Sequence, residues 1–290
     1  MMRLHVIDGT FELFRAHFSK RPGQTSPDGQ DVKATVGVMA SVLSLIEDDF
    51  ERATHLAVAF DNPIESFRND LFAGYKTGLG MDPVLTDQFG IVEEAVRACG
   101  VTVWSMDRWE ADDALATAAR KWRHDVDQVR IMTPDKDLGQ VVEGDRVVQV
   151  DRIRGKVINE TGVLDRNGVA PASIPDWLAL VGDTADGIPG VPGFGAKTAS
   201  TLLRRYGTVE AIPYDPEAWD VKVRGAAKLG ATLAGMREEV ALYRELAVLV
   251  TDVPLAESLD DLCWRGAPRA EFEAISARLG GVRYQPRQWL

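Results

Sequence analysis

Apolar and polar positions in the first half of the chain alternate between two spacings. LHVI (4–7) and HLAVAF (55–60) are short, unbroken apolar runs, the pattern of strands buried on both faces. VTVW (101–104) and VRIMT (129–133) read the same way. Between them, VKATVGVMASVLSLIEDDF (32–50) places apolar residues at helical spacing. FGIVEEAVRACG (89–100) predicts a helix stopped by Gly100, and EADDALATAARKW (110–122) predicts another. VVQV (147–150) and KVIN (156–159), separated by DRIRG, predict a hairpin. Strands alternating with helices place this half in the α/β class, with a mostly parallel sheet flanked by helices.

From about Ala170 the spacing is helical throughout. SIPDWLALVG (173–182), AKTASTLLRRYG (196–207), EEVALYRELAVLVTD (238–252) and RAEFEAISARLGG (269–281) each predict a helix, the second closed by Gly207. A glycine- and proline-rich loop, DTADGIPGVPGFG (183–195), joins the first two. The domain boundary is expected near 165–172, giving a first domain over 1–168 and a helical one over 169–290.

The 290 residues suffice for one large domain or two moderate ones. No apolar run has membrane-spanning length. The N-terminus, MMRLHVIDGT, reaches an aspartate within a few residues, unlike a secretory signal. Cys99 and Cys263 form no CxxC pair, and Cys99 lies in an apolar context that marks it as core. These features place the chain in a reducing, cytoplasmic setting, where the glycosylation-like Asn159-Glu160-Thr161 is coincidence. A net charge of −11 speaks against nucleic acid at first sight. It does so less if many acids are gathered in one metal-filled pocket.

The positions of the acids favour that gathering. Asp8 follows LHVI, Asp61 follows HLAVAF, and Asp135 and Asp137 follow VRIMT. Glu110, Asp112 and Asp113 follow VTVW after a short loop and crowd the mouth of a helix. In a parallel sheet these strand ends share the edge at which open α/β folds bind ligands. A single acid there would cap a helix or make a turn; seven packed together repel unless cations join them. No Cys/His spacing suits zinc, and His5, His17, His55 and His124 have no ligand arrangement. Mg²⁺ or Mn²⁺ is the inference. Two such ions about 3.5–4 Å apart are the equipment of phosphodiester hydrolysis. No Ser-His-Asp set or P-loop is present.

DTADGIPGVPGFGAKTASTLL adds Asp183 and Asp186, then places Gly193 and Gly195 before a helix that starts with Lys197 and Thr198 and carries Arg204 and Arg205. A helix N-terminus behind glycines presents amides to an anion, as in hairpins that grip a DNA backbone without reading bases.

LHVIDGT, AVAFDNPIESFRNDLFAGYK, WEADDALA, IMTPDKDL and LVGDTADGIPGVPGFGAKTA resemble, in order, the motifs of the bacterial 5′→3′ exonuclease and flap endonuclease family, across roughly 3–255. That family includes the N-terminal nuclease domain of type I DNA polymerases. The resemblance implies a PIN-like catalytic domain followed by a helical domain with a helix–three-turn–helix at 183–206. It puts nine acids on the metal positions: Asp8, Asp61, Glu110, Asp112, Asp113, Asp135, Asp137, Asp183 and Asp186. It implies two or more Mg²⁺ or Mn²⁺ ions, and K⁺ held by carbonyls at the helix–three-turn–helix. Segment 62–90 resembles the arch beside the active site. There Lys76 and Arg68 fall on the basic positions, Lys76 reaching the scissile phosphate. Arg15 and Tyr75 are expected to touch DNA, together with Gly193, Gly195, Lys197, Thr198 and Arg204. One departure stands out: YKxxR is usual in the family, and here Leu79 occupies the arginine position, with Arg68 or Arg21 as the substitute base.

The activity implied is a metal-dependent 5′ nuclease that cuts DNA at 5′ ends and 5′ flaps in replication or repair. It would be a cytoplasmic monomer, without membrane contact, working beside a DNA polymerase on a separate chain. Two other readings compete: a DNA-binding accessory protein with little cleavage, favoured by Leu79 and the acidic charge, and a PIN-like ribonuclease, disfavoured by the hairpin at 190–198.

Overall fold

In the computed structural model, which describes residues 1–290, the chain begins β1 (Arg3–Asp8), α1 (Gly9–His17), α2 (Lys33–Ile46), β2 (His55–Asp61), α3 (Phe67–Leu71), α4 (Pro83–Thr86) and α5 (Phe89–Ala98). It continues β3 (Thr102–Met106), α6 (Ala111–Trp122), β4 (Gln128–Met132), β5 (Val147–Asp151), β6 (Lys156–Ile158), α7 (Glu160–Asn167) and α8 (Ile174–Val181). The last elements are α9 (Ala196–Tyr206), α10 (Ala226–Gly235), α11 (Arg237–Ala247) and α12 (Arg269–Arg278). Two units divide the chain, and neither is continuous in sequence. Met1–Glu65, Gly78–Thr133 and Thr251–Leu290 form the first; Ser66–Thr77 and Pro134–Val250 form the second.

The first unit is built on four parallel strands in the order β3-β2-β1-β4. Successive residues of β1 and β2 are buried irrespective of the face they point to, which is why their sequences carry no polar alternation. α1 is not legible as an apolar pattern. It starts because Asp8 caps it, its Oδ1 accepting from the Phe11 N–H at 2.8 Å. Gly9 follows because a side chain there would lie 2.6 Å from the Phe60 ring. At the opposite end of the strands, β1–β4 register pairs His5 with Arg130. Both side chains meet the buried Glu51: Arg130 Nε is 2.6 Å and His5 Nε2 3.0 Å from Oε2. Burial works to raise the Glu51 pKa, but the hydrogen bonds from His5 and Arg130 prevail and hold it at about 2. Burial lowers His5.

In the second unit, β5 and β6 form the expected antiparallel hairpin, with Val150 opposite Val157. Four parallel strands and one antiparallel pair bear out the mostly parallel sheet. α8, α9 and α11 enclose a core that includes Trp177, Leu178, Leu202, Val240, Tyr243 and Leu246. Segment 66–77 belongs to this unit: the Phe72 ring meets Tyr243 edge-on at 6.1 Å. α7 begins at Asn159, whose side chain accepts from the Gly162 N–H at 3.0 Å, so the glycosylation-like triplet is a helix cap.

Candidate metal centre

In the first unit, four of the five predicted acids are buried at strand ends or at the start of α6, and Asp112 is half-buried. Asp8 closes β1; its Oδ2 accepts from the Thr133 hydroxyl at 3.0 Å. Asp61 closes β2. Its main-chain N–H donates to Thr10 Oγ1 at 2.8 Å, and its Oδ1 accepts from the Ala111 N–H at 2.7 Å. Glu110 is the N-cap of α6, and its N–H donates to Asp113 Oδ2 at 3.0 Å. Asp61, Glu110 and Asp113 therefore meet at one helix N-terminus, whose amides and dipole favour negative charge.

In the second unit, Asp137, Asp183 and Asp186 each offer an oxygen, and these atoms lie within 4.8 Å of one another. Asp135 sits beside them, its Oδ1 accepting from the Asp137 N–H at 3.0 Å. The chain reaches this geometry through a closed turn. Asp183 and Ile188 exchange both main-chain hydrogen bonds at 2.8 Å, and the residues between them project Asp186. The turn docks on segment 66–77 through glycine. Gly187 has φ +75°, and a Cβ there would lie 2.1 Å from the Gly74 carbonyl oxygen. The Asp186 carbonyl then accepts from the Lys76 N–H at 3.0 Å.

Electrostatics distinguish this triad from an ordinary surface cluster. Asp137 is 5% exposed, and its Oδ1 has no hydrogen-bond donor. Burial first, then the charges of Asp135 and Asp186, hold its carboxyl well above the usual range despite Lys136 nearby. Lys136 donates to Asp183 Oδ2, and Lys76 Nζ is 3.3 Å from Asp186 Oδ1. Burial lowers the Lys136 pKa, but Asp137, Asp183 and Asp135 together raise it above the usual value. Three converging carboxylates, one of them buried with an orphaned oxygen, fit a hard divalent cation.

Two expectations are corrected. Arg68 is 1% exposed; its Nε donates to the Leu246 carbonyl at 2.8 Å and its Nη2 to that of Val248 at 2.9 Å. Its guanidinium clasps the end of α11, so it neither reaches a scissile phosphate nor replaces the missing arginine. Tyr75 is 4% exposed and belongs to the core of its unit, which removes its ring from base stacking. Both were read as surface groups because an arch of polar and aromatic residues does not reveal which of its side chains turn inward.

The remaining predicted residues are placed as follows. Arg15 donates to Glu12 and, at 3.0 Å, to Ser41 Oγ, leaving the side chain about a third exposed. Leu79 is 87% exposed. Arg21 lines a groove of about 660 Å³ with Lys33, Arg283 and Tyr284. Gly193 is exposed in the loop before α9, and Gly195 is the N-cap of α9, with no side chain capping its first amides. Lys197 is exposed in the first turn, Thr198 half-buried, and Arg204 donates to the Gly168 carbonyl. Sequence reasoning passed over Lys136, Thr10 and Thr133. Lys136 was visible as the one base inside TPDKD, and Thr10 as the hydroxyl after Asp8-Gly9.

Comparison with known proteins gives the family and the fold. Residues 3–170 match the family model described as 5′-3′ exonuclease, N-terminal resolvase-like domain, and residues 169–270 match 5′-3′ exonuclease, C-terminal SAM fold. A 5′-3′ exonuclease of Aquifex aeolicus is 34% identical over 263 residues, 90% of this chain and 86% of its own length. DNA polymerase I of Pseudomonas aeruginosa is 36% identical over 277 residues, 92% of this chain but 29% of the polymerase. Among solved structures, T5 5′-exonuclease with divalent metal ions (zinc) bound is similar with a TM-score of 0.69 at 19% identity, over 96% of this chain and 99% of that one. The catalytic core of Rad2 in complex with DNA substrate is similar with a TM-score of 0.62 at 12% identity, over 96% and 88%. These two share the fold.

Proposed function

The chain belongs to the 5′–3′ exonuclease family, and we propose that it is a metal-dependent 5′ nuclease acting on DNA at 5′ ends and 5′ flaps. The observation that carries this reading is the convergence of Asp137, Asp183 and Asp186 around an orphaned buried oxygen. Asp135 belongs with that set. Asp8, Asp61, Glu110, Asp112 and Asp113 are the carboxylates of the first unit assigned to the same chemistry. Mg²⁺ or Mn²⁺ held by these acids would lower the pKa of a water and stabilise the leaving oxygen.

The chain's own residues position the parts. Thr133 orients Asp8, and Thr10 fixes the main chain at Asp61. Lys76, held beside Asp186 by its own N–H and by its ammonium, is the cation for the phosphate undergoing cleavage. Lys197, Thr198 and the amides of α9 grip the backbone of the duplex, with Arg204 on the same helix and Arg15 as a further contact. K⁺ at 183–206 belongs to this reading, as do a helical DNA-binding domain over 169–290 and an arch over 62–90. So do a monomeric state and a reducing cytoplasm, where Cys99 and Cys263 stay free.

The test is cleavage of a 5′-flap duplex labelled at each end. Products should form with Mg²⁺ or Mn²⁺, vanish with EDTA, and be absent for Asp183→Asn despite an unchanged fold. Binding without cleavage in the parent would instead make the chain an accessory DNA-binding protein, the reading that exposed Leu79 favours. Equal cleavage of single-stranded RNA would make it a ribonuclease.

A further inference from the structure

Asp183 has one carboxylate oxygen to offer, and a lysine already sits on it. Its Oδ1 accepts from the Ala185 N–H at 2.9 Å, which is part of the turn that carries Asp186. Its Oδ2 accepts from Lys136 Nζ. The same ammonium is 3.9 Å from Asp137 Oδ1, the buried oxygen that has no donor. Asp186, in turn, faces Lys76 at 3.3 Å. Three carboxylates that would repel one another are thus held with two ammonium groups against them.

Resting on the divalent-metal reading above, we infer that Lys136 is a place-holding cation: it neutralises Asp183 and Asp137 in the metal-free protein and yields Asp183 Oδ2 when a divalent ion enters. Two cations on one oxygen repel, so a metal ion drawing on all three acids competes with this ammonium. The exchange is sterically open. The Lys136 side chain is 34% exposed and ends in a flexible four-carbon stem, whereas Asp183 is fixed by the Ala185 N–H and the Ile188 ladder. Lys136 therefore acts on metal affinity through the ligands and does not touch substrate; it is a positioning residue. It weakens divalent binding relative to what the carboxylates alone would give, and in return the acids remain tolerable to the fold while empty.

The test measures Mn²⁺ binding to the full chain without DNA, by electron paramagnetic resonance, for the parent, Lys136→Met and Lys136→Arg. The methionine variant is expected to bind Mn²⁺ about tenfold more tightly and to melt at a lower temperature when metal-free. The arginine variant, which keeps the charge, should stay near the parent in both. In the unaltered protein, acetylation of Lys136 by an amine-reactive reagent, read by mass spectrometry, should speed up when Mg²⁺ is added. This labelling decides the matter if the methionine variant does not fold. Equal or weaker Mn²⁺ binding by Lys136→Met, or labelling that slows with Mg²⁺, overturns the inference while leaving the metal reading intact. A parent that binds no Mn²⁺ overturns both.

Discussion

Asp61 Oδ1 and the main-chain N–H of Ala111 are 2.7 Å apart, so the carboxylate that ends β2 also caps the first turn of α6. Stability and chemistry here share one side chain and can be separated. Asp61→Ala removes both the acceptor and the charge and should cost about 1–2 kcal/mol in urea unfolding along with all cleavage. Asp61→Asn keeps the acceptor, so it should recover most of the stability and none of the activity.

Arg68 tests how segment 66–77 is held in its unit. Arg68→Ala leaves the buried Leu246 carbonyl and the part-buried Val248 carbonyl without their donors and should destabilise by about 2–3 kcal/mol. Arg68→Lys should recover little, because an ammonium cannot span both carbonyls as a planar guanidinium does. If Arg68 touched substrate directly, the lysine variant would retain flap affinity and the two variants would not differ from the parent in urea.

Gly187→Ala should be more damaging than any surface change in the same turn. A left-handed φ and a Cβ 2.1 Å from the Gly74 oxygen together should cost at least about 2 kcal/mol. Because the turn carries Asp186, Mn²⁺ affinity should fall with stability, which a binding titration beside a melt will show.

Glu51 makes the fold acid-sensitive through a definite window. Its folded pKa of about 2 lies below the ordinary 4.5, so the unfolded chain binds the extra proton. The stabilisation is therefore complete above about pH 4.5 and is lost as pH falls toward 2. Glu51→Gln should flatten the melting temperature across that window and lower it at pH 7.

Leu79 is the simplest gain-of-function site. Leu79 is 87% exposed at the position where the family resemblance leads one to expect an arginine. Leu79→Arg should tighten flap DNA binding several-fold at low salt and steepen its salt dependence by about one counterion. An unchanged salt slope would show that DNA binding does not use this position.

The sheet strands and most long helices were readable because each obeys a single spacing, although α10 was not predicted. α1 was not, since a cap and a close glycine create it, and neither leaves a periodic trace. Asp8 and Asp61 follow from topology, since β1 and β2 are parallel neighbours that end side by side, whereas Asp137, Asp183 and Asp186 come together only through the turn that Asp183 and Ile188 close. Arg68 and Tyr75 were misread for a physical reason: residues of a short arch find their partners far along the chain, on α11 and its neighbours, and no local pattern announces that. Lys136 was overlooked because a base between two acids looks like a surface ion pair until the Asp183 turn closes on it.

Arg68 and Leu246 are 178 residues apart in sequence. During synthesis segment 66–77 must emerge and wait, the Arg68 side chain still hydrated, until α11 has left the ribosome. The segment bearing Lys76 is thus set only once α11 has been made, so a polypeptide interrupted before residue 237 would carry all its acids while Arg68 still lacked its partners.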